Sequence, residues 1–319
     1  MNRISRRTLI GNSILAAGAA CIGGANVLGL TQTGINAPDI HFPAAVRERL
    51  AVATWPFRAF INAPNNKDRD RQKPGMDLPE FAAKVKERFG VPGVEPLSAH
   101  FPSTEARYLE RFRETIEKAG VRVVDIPVDN SDSYYSPDPV ERKRAVKNGK
   151  KWIDVAVILG SPNVRTSIAR VPEVKPDAGA AAEALRPLAD YAGSKNVVLN
   201  LENDDLVSED AFFIVKLIET VDHPYLHALP DFCNSMLSGD EQFNYKAVTA
   251  MFTKAFGICH VKDSEVGEDK KVYRVDLKKT FGILKASGYR GYCSMEFEGQ
   301  GDPYEGTEKL IRASLQELG

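Results

Sequence analysis

Residues 196–232, NVVLNLENDDLVSEDAFFIVKLIETVDHPYLHALPDF, hold two short apolar runs with a helix-like stretch between them. NVVLNLE (196–202) and LHALPDF (226–232) are short, apolar and bounded by polar residues, as buried strands are. SEDAFFIVKLIETV between them has an acidic start and an amphipathic body, so it reads as a helix. A strand, a helix and a second strand this close together make a βαβ unit, whose strands lie parallel in one sheet.

The unit recurs along the chain. Further strand candidates are LAVATWPF (50–57), GVEPLSA (93–99), VRVVDIPV (121–128), PNVRTSI (162–168), FGICHVK (256–262) and GYCSMEF (291–297), which brings the number to eight. Helix-like segments separate them, among them LPEFAAKVKERFG, EARYLERFRETIEKAG, DPVERKRAVKNGKKWIDVAVILG and AAAEALRPLADYAGSKN. RVDLKKTFGILKASG and YEGTEKLIRASLQEL follow towards the C-terminus. Several stop at Gly or Asn, which tolerate the left-handed backbone of a helix end. Eight such units predict an α/β fold, a single closed (β/α)8 TIM barrel over residues 50–319. An open doubly wound sheet is the alternative, but no glycine-rich phosphate fingerprint follows the first strand. Polar loops at 62–77 and 129–139 fall on the C-terminal face, where barrel loops build sites.

Upstream of the barrel, residues 1–37 have a basic start, then a Gly/Ala-diluted apolar segment, then small and polar residues. That pattern is an export signal. Ser5-Arg6-Arg7-Thr8-Leu9-Ile10 is similar to the twin-arginine type, so a periplasmic protein is expected. A plain Sec signal or an uncleaved anchor is the alternative, since Leu9 to Leu30 is just long enough to span a bilayer. Cys21 follows Gly18-Ala19-Ala20, which lacks the large aliphatic residue of a lipoprotein site. Residues 38–49 read as a linker or N-terminal wrap. No later segment is long and apolar enough to cross a membrane, so a soluble mature chain is expected. Cys233, Cys259 and Cys293 are odd in number, widely spaced and set in apolar surroundings, which predicts buried free thiols rather than a disulfide framework. With 42 Lys+Arg against 43 Asp+Glu there is no basic field to hold a phosphate backbone, and nucleic acid is excluded as a partner.

In a barrel the ends of strands five to eight share one mouth. Those ends carry Glu202, Asp231, His260 and Glu296, each about one βα unit from the next. Three carboxylates brought together repel strongly unless a cation neutralises them. Three carboxylates and an imidazole suit one divalent metal ion, Mn²⁺, Mg²⁺, Co²⁺ or Zn²⁺. Singly, each residue has an ordinary explanation as a helix cap, a loop ion pair or a satisfied histidine. Asp204 and Asp205 are candidates for capping the next helix. Glu298 rivals Glu296, because strand alternation gives it the same facing, but Glu298-Gly299 reads as loop. Lys262 shares the facing of His260, so it either reaches substrate oxygens or pairs with Asp263 or Glu296. Asp263 is expected to support His260 and Lys262.

The Glu202/Asp231/His260/Glu296 series and the stretch HVKD (260–263) resemble the xylose isomerase-like barrels, the superfamily of sugar phosphate isomerases and epimerases. The resemblance covers essentially the whole chain after the signal. In that family the matching Glu, Asp, His and Glu bind a divalent metal, and the two glutamates shuttle a proton at a carbon beside a carbonyl. The resemblance implies that all four residues are metal ligands, with Glu202 and Glu296 the acid/base pair and Lys262 beside them. Two positions depart from the pattern: Asn234, where many epimerases of the family carry histidine, and Val266, where arginine is common. Asn234, Glu95, His100, Arg165 and Trp55 are candidates for binding substrate, with Trp55 and Phe57 alternatively packing. The implied function is a metal-dependent isomerase or epimerase of sugars or keto-sugars passing through an enediolate. A lyase or hydratase on keto-sugars or 3-keto-glycosides shares its first step. A small-molecule sugar is the expected partner, and a homo-oligomer is left open. An endonuclease IV-like phosphodiesterase would need more than five histidines, and a non-catalytic sugar-binding barrel would need no metal.

Overall fold

The computed structural model describes residues 36–319, so the expected signal, with Arg6, Arg7, Cys21 and the stretch Leu9 to Leu30, lies outside the described residues save for its last two positions. Eleven strands follow in chain order. They are β1 Leu50–Ala53, β2 Gly93–Glu95, β3 Arg122–Val123, β4 Pro127–Val128, β5 Asn163–Thr166, β6 Val198–Glu202, β7 Leu226–Leu229, β8 Ile258–Val261, β9 Ser264–Val266, β10 Val272–Arg274 and β11 Tyr292–Met295.

The eight expected staves are all present and parallel. Hydrogen bonding runs β3-β2-β1-β11-β8 on one side and β4-β5-β6-β7 on the other. β3 and β4 are the two halves of one stave, and the bridges Ala228–Ala255 and Asp231–His260 join β7 to β8, which closes the (β/α)8 barrel. Most staves are shorter than their apolar runs. After β1, for instance, the chain turns at Thr54 into a short 3-10 helix, Trp55–Phe60.

The break in the third stave is a one-residue slip. Arg122 pairs with Gly93 of β2, whereas Pro127 pairs with Arg165 of β5. Val124 packs inside the barrel on Ala51, Leu229 and Ile258, while Pro127 and Asp129 line the cavity at its mouth. The inward face therefore changes parity between Val124 and Asp125, as at a bulge. Asp125 is thereby turned inward beside Glu95.

The outer ring holds α1 Leu78–Phe89, α2 Ala106–Lys118, α3 Pro139–Leu159, α4 Ala178–Ser194, α5 Ala211–Val221, α6 Glu241–Phe252, α7 Leu277–Ala286 and α8 Pro303–Leu318. Asp77, Asp138, Asp177, Asp210, Asp240, Asp276 and Asp302 cap all but α2, each accepting backbone N–H groups of the first turn. Such caps contribute about 1 kcal/mol apiece and satisfy donors that would otherwise be orphaned. Neither α6 nor the antiparallel hairpin β9–β10 was expected from the sequence. Among the described residues no helix is long and apolar enough to cross a membrane.

The segment after the expected signal closes the barrel floor. Phe42 sets its ring edge-on 5.4 Å from both Phe256 and Tyr292 at the N-terminal end of the staves. Asn196 holds the backbone of Asp39 through two hydrogen bonds, 3.0 and 2.9 Å. Cys233, Cys259 and Cys293 are buried free thiols, with the Sγ atoms of Cys259 and Cys293 3.7 Å apart on neighbouring staves.

Candidate metal centre

At the C-terminal mouth the staves bring Glu202, Asp231, His260 and Glu296 together, all four buried, with one potential ligand atom from each lying within 4.8 Å of the others. Glu202 ends β6, Asp231 lies just past β7, His260 sits in β8 and Glu296 follows β11. The register explains the convergence: His260 is level with Ser294 of β11 and bridges to Asp231. Asn203 ties the ends of β6 and β7 by accepting from Asp231 N and donating to Asp231 O, at 2.8 and 3.2 Å.

His260 is the hub. Its Nδ1 lies 2.8 Å from Glu202 Oε1, 3.5 Å from Glu296 Oε2 and 4.0 Å from Asp231 Oδ2, while its Nε2 lies 2.8 Å from Glu95 Oε1. Burial alone would drive the imidazole neutral, but Glu296, Glu95 and Glu202 more than offset it and hold its pKa well above the usual histidine value. Burial pushes the Glu296 carboxyl up to about 8 and that of Asp231 to about 6. Glu202 resists the same burial because His260 and Arg165 hold it well below the ordinary carboxylate range.

This donor set fits a divalent cation. Asp231 gives Oδ1 to the N–H groups of Cys233 and Asn234 at 2.7 and 2.6 Å, and its buried Oδ2 has no hydrogen-bond partner. An orphaned carboxylate oxygen is costly, and a cation would satisfy it. Three carboxylate oxygens and one ring nitrogen are the hard and borderline donors that such ions take. Glu95, facing the far nitrogen, would fix the ring and leave Nδ1 for the metal.

The remaining candidates take several roles. Lys262 reaches into the cavity and pairs with Glu296 at 3.1 Å and Glu265 at 2.6 Å, and donates to Asn234 Oδ1 at 2.8 Å. Despite burial, Glu296 and Asp231 hold its pKa well above the usual lysine value. Asn234 also lies 3.4 Å from Glu202 Oε1. Arg165 lines the cavity and is held by three acids. Its Nε donates to Glu202 at 2.7 Å, Nη1 to Asp129 at 2.7 Å and Nη2 to Asp204 at 3.0 Å. His100 is corrected from a substrate candidate. It lies buried with Nδ1 2.8 Å from Thr54 Oγ1, does not line the cavity, and burial lowers its pKa to about 4. Glu95, buried, lines the cavity and pairs with His260.

Trp55 lines the cavity and donates through Nε1 to Glu298 at 2.5 Å, while Arg58 holds the other oxygen of Glu298 at 2.9 Å. Glu298 is thereby a wall residue outside the four-residue cluster. Phe57 is core, packed on Phe81 and Tyr304. The Asp263 side chain makes no hydrogen bond or ion pair with His260 or Lys262; its Oδ1 accepts from Ser264 at 3.2 Å, in place of the expected support role. Asp205 organises its loop by accepting from the backbone of Ser208 at 2.7 Å, but the cap of α5 is Asp210.

Asp125, Asp129, Glu265 and Asn203 were not singled out from the sequence. Burial and the adjacent Glu95 raise the Asp125 carboxyl well above its ordinary value. An acidic residue inside the apolar run VRVVDIPV was its only sequence signal.

Glu202, His260, Glu296, Lys262, Arg165 and Trp55 are among the residues lining a cavity of about 270 Å³, near the lower end of small-molecule sites. A closed barrel of eight parallel staves, with a buried Glu/Asp/His cluster suited to one divalent metal at its mouth, defines the class of protein. A family model described as xylose isomerase-like TIM barrel matches residues 82–318, and the chain belongs to that family.

Three solved structures illustrate the likeness. A xylose isomerase-like TIM barrel protein from Mycobacterium smegmatis, in complex with magnesium, aligns with a TM-score of 0.61 at 18% identity over 85% of this chain and 98% of its own. D-psicose 3-epimerase with D-tagatose, from Clostridium cellulolyticum H10, gives 0.59 at 16% over 85% and 96%. The apo form of 3-keto-D-glucoside 4-epimerase from E. coli gives 0.62 at 16% over 84% and 99%. At these identities the likeness establishes the fold. No curated protein matches the chain.

Proposed function

We propose that this chain is a divalent-metal-dependent isomerase or epimerase of sugars or keto-sugars, moving a proton at a carbon beside a carbonyl. The observation that carries the reading is the convergence of Glu202, Asp231, His260 and Glu296 at the floor of a small-molecule cavity. Those four residues would hold the metal. When bound, it would supply Lewis-acid polarisation of the substrate carbonyl and lower the cost of an enediolate. The sugar epimerases among the structural neighbours favour this chemistry.

The chain's own residues divide the remaining work. Glu202 and Glu296 face one substrate position from β6 and β11, so one removes the α-proton while the other returns it. Arg165 keeps Glu202 ionised and oriented. The ammonium of Lys262 stands within 3.1 Å of Glu296, where it donates to oxygen as negative charge develops. Trp55 offers an apolar face for a sugar ring.

Elemental analysis tests the metal site. Stoichiometric metal in the parent and little in Glu202→Gln and His260→Ala is expected; equal metal in all three would sink the assignment. Proton NMR in D₂O with a panel of ketoses and 3-keto-glycosides tests the chemistry. Exchange without elimination supports the isomerase, an enone or released aglycone makes it a lyase, and silence across the panel overturns both. The reading extends to an exported protein on residues 1–37 alone. Fractionation of the tagged full chain checks this, and accumulation in the cytoplasm would end it.

A further inference from the structure

Resting on the proposed sugar chemistry, we infer that the cavity takes only uncharged polyhydroxyl substrates, and that the wall built from Asp129, Arg165 and Asp204 rejects phosphorylated and carboxylated sugars. Among the described residues that line the cavity, every cationic side chain is already engaged by carboxylates. Arg165 spends its donors on Glu202, Asp129 and Asp204. Lys262 is held by Glu296 and Glu265. Arg58, behind the wall, is held by Glu298. An entering phosphate or carboxylate meets no unpaired guanidinium or ammonium there.

The wall is also turned the wrong way for an anion. The Arg165 side chain is 6% exposed, against 59% for Asp129 and 48% for Asp204. Each aspartate accepts from Arg165 through one oxygen, and both residues line the cavity. On this wall the two aspartates offer acceptors and negative charge, which suits hydroxyl donors and repels anions.

Helix N-termini, which commonly bind anions at this face of a barrel, offer no substitute. Among the described residues, all α-helices but α2 carry an aspartate cap whose carboxylate accepts one or two first-turn N–H groups and puts negative charge at that end. The uncapped helix, α2, lies away from the cavity lining.

Calorimetric titration of the metal-loaded protein with a neutral ketohexose, its 6-phosphate and an aldonate tests this directly. The neutral sugar should bind on the order of 100-fold tighter than either anion. In Asp129→Asn/Asp204→Asn that gap should narrow at least about tenfold, mainly through tighter anion binding. An anion that binds the parent as well as the neutral sugar does would overturn the inference, as would an unchanged gap in the double variant. The parent arm decides the matter even if the double variant does not fold. A neutral sugar that binds selectively but exchanges no proton in D₂O would refute the reaction and leave the selectivity standing.

Discussion

Arg165→Met should destabilise the protein by about 3–5 kcal/mol, the cost of leaving a buried charge without its partner. Methionine keeps much of the stem's volume and removes every donor. In the native protein Arg165 Nε and Nη2 both lie 2.7 Å from Glu202 Oε2, and the two side chains are only 6% and 2% exposed. Without the guanidinium, Glu202 keeps His260 on one oxygen and has nothing on the other. Asp129 and Asp204 lose the cation between them.

Urea unfolding of the metal-free proteins, followed by circular dichroism, measures the cost. With m in the range of about 1–3 kcal/mol/M, the midpoint should fall by about 1 M or more. Adding Glu202→Gln removes the stranded charge, so the double variant should recover at least about 2 kcal/mol relative to additivity. A substrate-binding arginine would behave otherwise, raising KM while leaving stability within about 0.5 kcal/mol. Stability unchanged in Arg165→Met, or strict additivity with Glu202→Gln, would refute its role as the holder of Glu202.

In EDTA, stability should fall between about pH 5 and pH 8, because Glu296, raised from 4.5 to about 8, and Asp231, raised from 3.8 to about 6, bind more protons folded than unfolded. Their contribution is complete below the unfolded values and is lost as pH rises through the folded ones. Saturating Mn²⁺ should flatten the profile, and a melting temperature in EDTA that rises over this window would contradict it. Gly257→Ala should cost about 2 kcal/mol by urea unfolding, since its methyl group would collide with Asn163 Oδ1, whose amide is tied to Val124 O at 2.9 Å. A loss below about 0.5 kcal/mol would show that Asn163 yields freely. Cys233, Cys259 and Cys293 should react with a thiol reagent only on unfolding, so rapid labelling of the native protein would place one of them at the surface.

The barrel was legible because each stave is buried on both faces, and so reads as an apolar run closed by polar residues. The α5 cap was misplaced, since Asp204 and Asp205 were the candidates and Asp210 caps AFFIVKLIETV. α6 escaped because EQFNYKAVTAMF is weakly patterned, with Asn244 on its buried face donating to Phe232 O at 2.9 Å; Asp240 was the usable signal. The slip at Val124 and Asp125 had no local mark, since it follows from pairing with β2 on one side and β5 on the other.

Within the centre, the same division separates what could be read from what could not. Glu202, Asp231, His260 and Glu296 recur at stave ends, so the βα period that reveals the barrel also reveals them. Glu95 and Arg165 lie at stave ends as well, but which acid or ring each of them meets does not follow from the period. Arg165 meets Glu202 across 37 residues and Asp204 across 39, and His260 meets Glu95 across 165. Those distances are set by loop lengths and barrel closure. Asp129 carried no sequence signal and Asp204 read as a helix-cap candidate, whereas the structure places Arg165 between them. The four-residue cluster is thus a property of the fold's repeat, whereas the charge pairing of the cavity wall is a property of how particular staves meet.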